Sequence, residues 1–276
     1  MNVAIYAGDC IESLKKLEDE SINTCITSPP YWGLRNYNDE EKQLGMEATP
    51  EEFVENLVKV FREVKRVLRD DGTVWLNLGD SYKKSNLTGI PWLVALALQK
   101  DGWYLRQDII WHKPNPMPES VKNRCTKAHE YIFLLSKSPK YYYDNEAIKE
   151  DAKFPNGPNS PHKIKAVDNV YSANLQKIGA NPKRNKRSVW TITTKPFKGA
   201  HFATFPKDLI EPCVLAGCPE GGTVLDTFAG SGTTAEVANA HNRNTVLCEL
   251  SNDYIEIAKK RLDGMFANIN VIGEGA

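Results

Sequence analysis

Two spacings of apolar residues run along this chain, and each predicts its own elements. Residues 2–7 and 22–27 are short apolar runs, closed by Gly8-Asp9 and by Ser28-Pro29-Pro30 respectively. Short apolar runs that end at turn residues predict buried strands. Residues 11–17, between them, suit a short helix. At Thr49-Pro50-Glu51-Glu52 the period changes: Thr is an N-cap, Pro fits the first helical position and Glu the third. Phe53, Leu57, Val60, Phe61, Val64 and Leu68 then recur every three or four residues on one helical face. Asp70-Asp71-Gly72 is expected to stop that helix before a strand at 73–78. A helix at 91–99 and strands at 104–111 and 130–135 follow, the last leading into Tyr141-Tyr142-Tyr143.

Residues 144–190 break the pattern. They are rich in Pro, Asn, Lys and Gly without a sustained period, which predicts an inserted recognition segment or a loop. Regularity returns with a helix at 207–216, a strand at 223–226, a helix at 233–241, a strand at 245–249 and a long amphipathic helix at 252–266. Strands alternating with helices predict an α/β fold, a mostly parallel sheet with helices on both faces. The expected organisation is one catalytic domain in two parts, 1–143 and 191–276, around an insertion at 144–190.

Composition narrows the class. The chain has 276 residues, 41% apolar and 25% charged, ordinary for a globular protein with a sizeable core. Its longest purely aliphatic run, 93–98, is far short of a membrane span. No basic, apolar leader is visible, and the six cysteines form no CxxC, so a reducing cytoplasm is expected. The five histidines show no metal-ligand spacing. Net charge is zero, yet residues 153–198 hold ten Lys/Arg against one acid, Asp168. Phosphate binding responds to the local field, so this segment admits nucleic acid as a partner; a solvated loop without a partner is the alternative.

Two motifs carry chemistry. In Asp226-Thr227-Phe228-Ala229-Gly230-Ser231-Gly232-Thr233-Thr234 a strand feeds a Gly-rich turn that opens a helix. Glycine lets the backbone approach a ligand closely, and the helix start presents free N–H groups. Glu249 closes the next strand, where an acid can accept from both hydroxyls of a ribose. Gly230-x-Gly232-x-x-Ala235 also satisfies the dinucleotide fingerprint, and a plain strand-to-helix turn is the structural alternative. The second motif is Thr27-Ser28-Pro29-Pro30-Tyr31-Trp32, at a strand end. Its two prolines remove two N–H donors and leave a cluster of acceptors: the Ser28 hydroxyl and the carbonyls of Ser28 and Pro29. Acceptors beside aromatic rings suit a planar amine, and a rigid turn is again the alternative.

Together these residues resemble the DNA amino-methyltransferases in their permuted β arrangement, in which the catalytic tetrapeptide precedes the cofactor loop. Ser28-Pro29-Pro30-Tyr31 matches the tetrapeptide; Asp226, Phe228, Gly230, Ser231, Gly232 and Thr233 match the cofactor loop. The resemblance implies a Rossmann-like methyltransferase sheet and S-adenosyl-L-methionine as cofactor, with Glu249 at its ribose and Asp9 and Cys10 toward its adenine. His201 to Pro206 resembles the segment that closes over the methionine moiety, which brings in Thr204 and Phe205. It places the target-recognition region at 144–190, and with it double-stranded DNA, contacted by Trp32, Arg35, Lys183, Arg184, Lys186 and Arg187. It also implies a prokaryotic or phage origin, a restriction endonuclease of the same specificity that does not touch this chain, and a monomer or homodimer.

The implied reaction is methyl transfer to an exocyclic amine. The amine's lone pair is delocalised into the base until acceptors on its N–H groups localise it, and no covalent enzyme intermediate is needed. The base must flip out of the duplex, and Tyr31 or Trp32 is expected to stack on it. Ser at the first tetrapeptide position favours cytosine N4, with adenine N6 as the alternative. Methylation at cytosine C5 needs a Pro-Cys nucleophile; Pro212-Cys213 lies in an expected helix, and Cys213 reads as core. Two other classes stay open on sequence: a dinucleotide-dependent oxidoreductase and a non-catalytic nucleic-acid-binding module.

Overall fold

A computed structural model describes residues 1–33, 43–152, 183–194, 205–265 and 267–273. They divide into two units, Met1–Asp144 with Ser188–Ala276, and Asn145–Arg187. In the first unit, nine strands form one sheet in the order β10-β6-β7-β3-β2-β11-β12-β1-β13. In chain order these are β1 (Asn2–Ala7), β2 (Ile22–Thr27), β3 (Leu68–Leu78), β6 (Tyr104–His112), β7 (His129–Ser136), β10 (Val189–Thr191), β11 (Thr223–Asp226), β12 (Asn244–Glu249) and β13 (Asn268–Ile272). Two short ribbons supply the remaining labels, β4 (Tyr82–Lys83) with β5 (Asn86–Leu87), and β8 (Glu150–Asp151) with β9 (Lys183–Arg184). The run β3-β2-β11-β12-β1-β13 is parallel throughout. β7 is antiparallel to both neighbours, and β10 pairs parallel with β6.

Six helices lie among the described residues: α1 (Cys10–Leu14), α2 (Pro50–Val67), α3 (Ile90–Lys100), α4 (Lys207–Gly217), α5 (Thr233–Ala240) and α6 (Asn252–Leu262). α2 forms as its sequence dictates. Thr49 Oγ1 accepts from Glu52 N at 3.2 Å, Pro50 opens the helix, and acids lead while bases close it. Its face of Phe53, Leu57, Val60, Phe61, Val64 and Val67 is fully buried in the larger core, with Val94, Ala95 and Leu98 of α3. Truncating one such large side chain to Ala costs about 2–5 kcal/mol. A second core joins Val3, Ile5 and Leu247 of the sheet to Ala235, Ile255 and Leu262 of α5 and α6.

Three expectations differ from the structure. The expected stop at Asp70-Asp71-Gly72 lies inside β3: pairing with β2 runs from Ile22↔Leu68 to Thr24↔Thr73, so residues 69–72 bulge while the strand continues. The last helix ends at Leu262 instead of 266, and β13 follows as an edge strand beside β1. β10 lies where the sequence predicts no strand; Trp111 Nε1, donating to the Ile192 carbonyl at 2.8 Å, helps hold the chain there.

The second unit is described only at its ends. Lys183 pairs with Asp151 at 2.7 Å, and Glu150 takes both Arg184 (2.9 Å) and Arg187 (2.8 Å). Of the basic residues expected to contact DNA, Lys183, Arg184 and Arg187 are therefore paired with Asp151 and Glu150, acids just before the strongly basic stretch 153–198.

Candidate active site at the carboxyl ends of the strands

Parallel order brings four loops to one end of the sheet: 8–10 after β1, 250–251 after β12, 227–232 after β11 and 28–33 after β2. Ligands of α/β sheets bind at this end. β11 lies between β2 and β12, as expected for a cofactor strand flanked by the Ser28 and Glu249 strands.

Asp226 is the junction. Its carboxylate accepts from Thr27 Oγ1 at 2.8 Å, from Thr234 Oγ1 at 2.6 Å and from Phe228 N at 3.1 Å. Its exposure is 0%, and burial raises its pKa to about 6 despite these donors. The expectation of a direct cofactor ligand needs correction here, because protein donors fill the carboxylate and solvent does not reach it. It ties the end of β2 to the turn after β11 and to the first turn of α5.

The cofactor turn is built in two parts. Gly230 has φ +51°, and among the described residues nothing lies within 4 Å of where its Cβ would be. Its N–H donates to Glu249 Oε2 at 2.7 Å, while Ser251 N donates to Oε1 at 2.9 Å. Burial pushes the Glu249 carboxyl up, against those two bonds. Gly8, donating to the Glu249 carbonyl at 2.8 Å, likewise has no described residue within 4 Å of its Cβ position. Two glycines opening onto free space around a fixed acid fit S-adenosylmethionine, whose ribose needs acceptors and whose bulk needs backbone without side chains. Asp9 caps α1 through Glu12 N at 3.0 Å, and burial pushes the Cys10 thiol up to about 12, so Cys10 stays a thiol.

Gly232 does something else. A Cβ there would lie 3.1 Å from Ala258 Cβ, so this glycine serves helix packing, not ligand approach. Ser231 and Thr233 are buried, and both hydroxyls meet the Arg261 guanidinium at 2.9 Å. Arg261 also pairs with Glu236 at 2.6 Å. Arg261 thus supports the turn from α6, a role the sequence does not signal, since it reads as one of several bases on an amphipathic helix. Phe228 packs partly buried on the larger core.

The Ser28 loop follows β2 directly. Among the described residues nothing donates to the Ser28 hydroxyl or to the carbonyls of Ser28 and Pro29. Tyr31 is held on two sides: a Cβ on Gly79 would lie 2.5 Å from its ring, and its hydroxyl donates to Glu130 Oε2 at 2.6 Å. Glu130 also accepts from Asn77 Nδ2 at 3.2 Å and pairs with the Lys113 ammonium. Local sequence gives little sign of Gly79 and Asn77; for Lys113 and Glu130 the sign is a charge beside a buried strand, after β6 and at the start of β7.

Trp32 corrects an expectation. It is 4% exposed, sits in the core and donates from Nε1 to the Glu47 carbonyl at 2.9 Å, so its ring is not open to a base. Lys83 lies over that ring at 4.2 Å. Cys213 is a buried core residue in α4, its thiol directed at the Leu209 carbonyl. Arg35 and Thr204 lie outside the described residues; Phe205 is partly exposed just before α4. Among the described residues no group of His, Cys, Asp and Glu is placed to hold a metal, and no helix is long and apolar enough to cross a membrane.

Known proteins are similar to this chain in sequence and in fold. The chain is 42% identical to the type II methyltransferase M.Cfr9I of Citrobacter freundii, over 96% of this chain and 89% of that protein. It is 44% identical to the type II methyltransferase M.SmaI of Serratia marcescens, over 94% and 90%. In fold it resembles PvuII DNA methyltransferase (cytosine-N4-specific), with TM-score 0.69 at 20% identity, covering 98% of this chain and 95% of that one. A Thermus thermophilus protein described as a DNA modification methylase, solved with S-adenosyl-L-methionine, gives TM-score 0.67 at 24% identity over 98% and 99%. The DNA methylase profile of the N6/N4 class matches residues 22–260, and with these relatives it shows that the chain belongs to the N6/N4 DNA methylase family, whose members take their methyl group from S-adenosylmethionine.

Proposed function

We propose that this protein is a site-specific modification enzyme that methylates the N4 amine of cytosine in double-stranded DNA, on a base flipped out of the helix. The observation that carries the reading is the acceptor set of Ser28 and Pro29, without a donor among the described residues, beside the fixed ring of Tyr31. A cytosine amine offers two N–H donors in its ring plane. The Ser28 hydroxyl takes one and a loop carbonyl the other, which draws the nitrogen toward tetrahedral geometry and localises its lone pair. S-adenosylmethionine supplies an electrophilic methyl group when bound. Glu249 would accept from the ribose, Gly230 and Gly8 would leave room for backbone approach, and Asp9 and Cys10 would border the adenine end. After transfer the extra proton on the amine passes to water, and because the amine itself attacks, no cysteine nucleophile is needed; Cys213 is buried in α4.

Ser at the first tetrapeptide position supports cytosine over adenine. The type II designation of the relatives supports a defined recognition sequence and a restriction endonuclease acting beside this enzyme in a prokaryotic cytoplasm, with the enzyme itself a monomer or homodimer. Residues 144–190 are the proposed target-recognition region. The exposed ion pairs of Lys183 and Arg187 are individually weak, which leaves those bases able to exchange a carboxylate for phosphate.

The test is single-turnover methyl transfer by Ser28→Ala. Losing one hydrogen bond made in the transition state costs roughly 1–3 kcal/mol, about ten- to a hundredfold in rate. Cofactor affinity should stay as in the wild type. A wild-type rate would remove Ser28 from the mechanism.

A further inference from the structure

Residues 113–128 join β6 to β7 at the catalytic end of the sheet. The loop closes on itself at its base, where Lys113 N donates to the Ala128 carbonyl at 2.8 Å. The same lysine pairs with Glu130, and Glu130 holds the Tyr31 hydroxyl at 2.6 Å. Both ends of the loop are therefore pinned to the aromatic ring of the catalytic tetrapeptide.

Its interior is stiff. Pro114, Pro116 and Pro118 alternate along the rising arm, each fixing its own φ and restricting the residue before it. Asn115 clamps the Thr194 backbone in both directions, its amide donating to the carbonyl at 3.2 Å and its oxygen accepting from the N–H at 3.0 Å. On the other arm Arg124 pairs with Glu119 at 2.5 Å and lies over the Tyr82 ring at 4.0 Å. Between Pro116 and Pro118 stands Met117, 85% exposed, the most exposed large hydrophobic side chain among the described residues. Single exposed apolar residues are ordinary. This one is held out on a proline-braced loop whose base is the active site. The loop carries Lys113, Lys122, Arg124 and Lys127 against one acid, Glu119, a charge that suits a polyanion.

We propose that this loop enters DNA beside the target nucleotide and that Met117 is the wedge occupying the stack when the base leaves it. The proposal rests on the base-flipping reading above. A methionine is apolar, unbranched and polarisable, the kind of side chain that slides between base steps. Pinning the loop to Tyr31 would couple the position of the wedge to the position of the ring that receives the base.

The experiment compares Met117→Ala with wild type in single-turnover methylation of two duplexes, one with the target correctly paired and one with it opposite an abasic site. Removing the partner relieves much of the cost of opening, which is a few kcal/mol for a paired base. The variant should lose about tenfold or more on the paired duplex and recover nearly wild-type rate on the other. Met117→Leu should keep most of the paired-duplex rate. A 2-aminopurine at the target should fluoresce less with Met117→Ala than with wild type. Equal loss on both duplexes, no loss on either, or loss accompanied by dissociation of a dimer would overturn the wedge. If the wild-type protein transfers no methyl group to either duplex, the functional reading fails and the wedge fails with it.

Discussion

Thr27 and Asp226, 199 positions apart in sequence, share a 2.8 Å buried hydrogen bond from the Thr27 hydroxyl to the aspartate carboxylate. Through it the strand that ends in the catalytic tetrapeptide is fixed to the strand that ends in the cofactor turn. The permuted order of the two motifs is harmless because β2 and β11 are neighbours in the sheet.

That junction should be visible in the pH dependence of stability. Burial raises the Asp226 pKa from 3.8 to about 6. The folded protein then takes up a proton at a higher pH than the unfolded chain. Above about pH 6 the buried charge costs stability, on the order of 3 kcal/mol, and this cost is relieved as pH falls from about 6 to about 4. Relative to Asp226→Asn, which has no such charge, the wild type should gain stability across that window on acidification. Urea unfolding of both proteins at several pH values checks it; a stability difference that does not change with pH would contradict it.

The Tyr31 hydroxyl should matter. On sequence alone the ring suffices for stacking, and Tyr31→Phe reads as a mild change. The structure gives the hydroxyl a charged acceptor, Glu130, so the change should cost roughly 1–3 kcal/mol in transition-state stabilisation. Gly79→Ala should act on the same ring from the other side, since the new Cβ would stand 2.5 Å from it. Both variants should lose kcat while cofactor affinity, read by calorimetry, stays near wild type. Unchanged kcat in both would detach the ring's placement from catalysis.

The two glycines of the cofactor turn should separate. Gly230→Val points a side chain into the open space beside Glu249 and should abolish S-adenosylmethionine binding, with a folding cost of about 1–2 kcal/mol from its positive φ. Gly232→Ala meets Ala258 at 3.1 Å and should act mainly on stability. Calorimetric affinities with melting curves test this; comparable affinity loss in both would contradict the division.

Much of this arrangement is legible in the sequence. The caps and the 3–4 spacing of α2 are local, and so are the strand-end positions of Ser28 and Gly230. What stays hidden depends on contacts distant in sequence. Nothing near Glu130 announces that Tyr31 lies beside it, and nothing near Arg261 announces Ser231. Trp32 reads as a stacking ring because its neighbours are motif residues, yet its indole turns into the core toward Glu47. The edge strand β13 carries Ile269 and Val271 in alternation, a short signal that the preceding helical pattern masks.

The chemistry itself is most directly tested by digesting DNA methylated by the purified enzyme and separating the nucleosides by chromatography against standards. An acceptor cluster at Ser28, with Cys213 of the Pro-Cys pair buried in α4, predicts N4-methylcytosine. N6-methyladenine would keep the amine mechanism and contradict the assignment to cytosine, and 5-methylcytosine would contradict the mechanism as a whole.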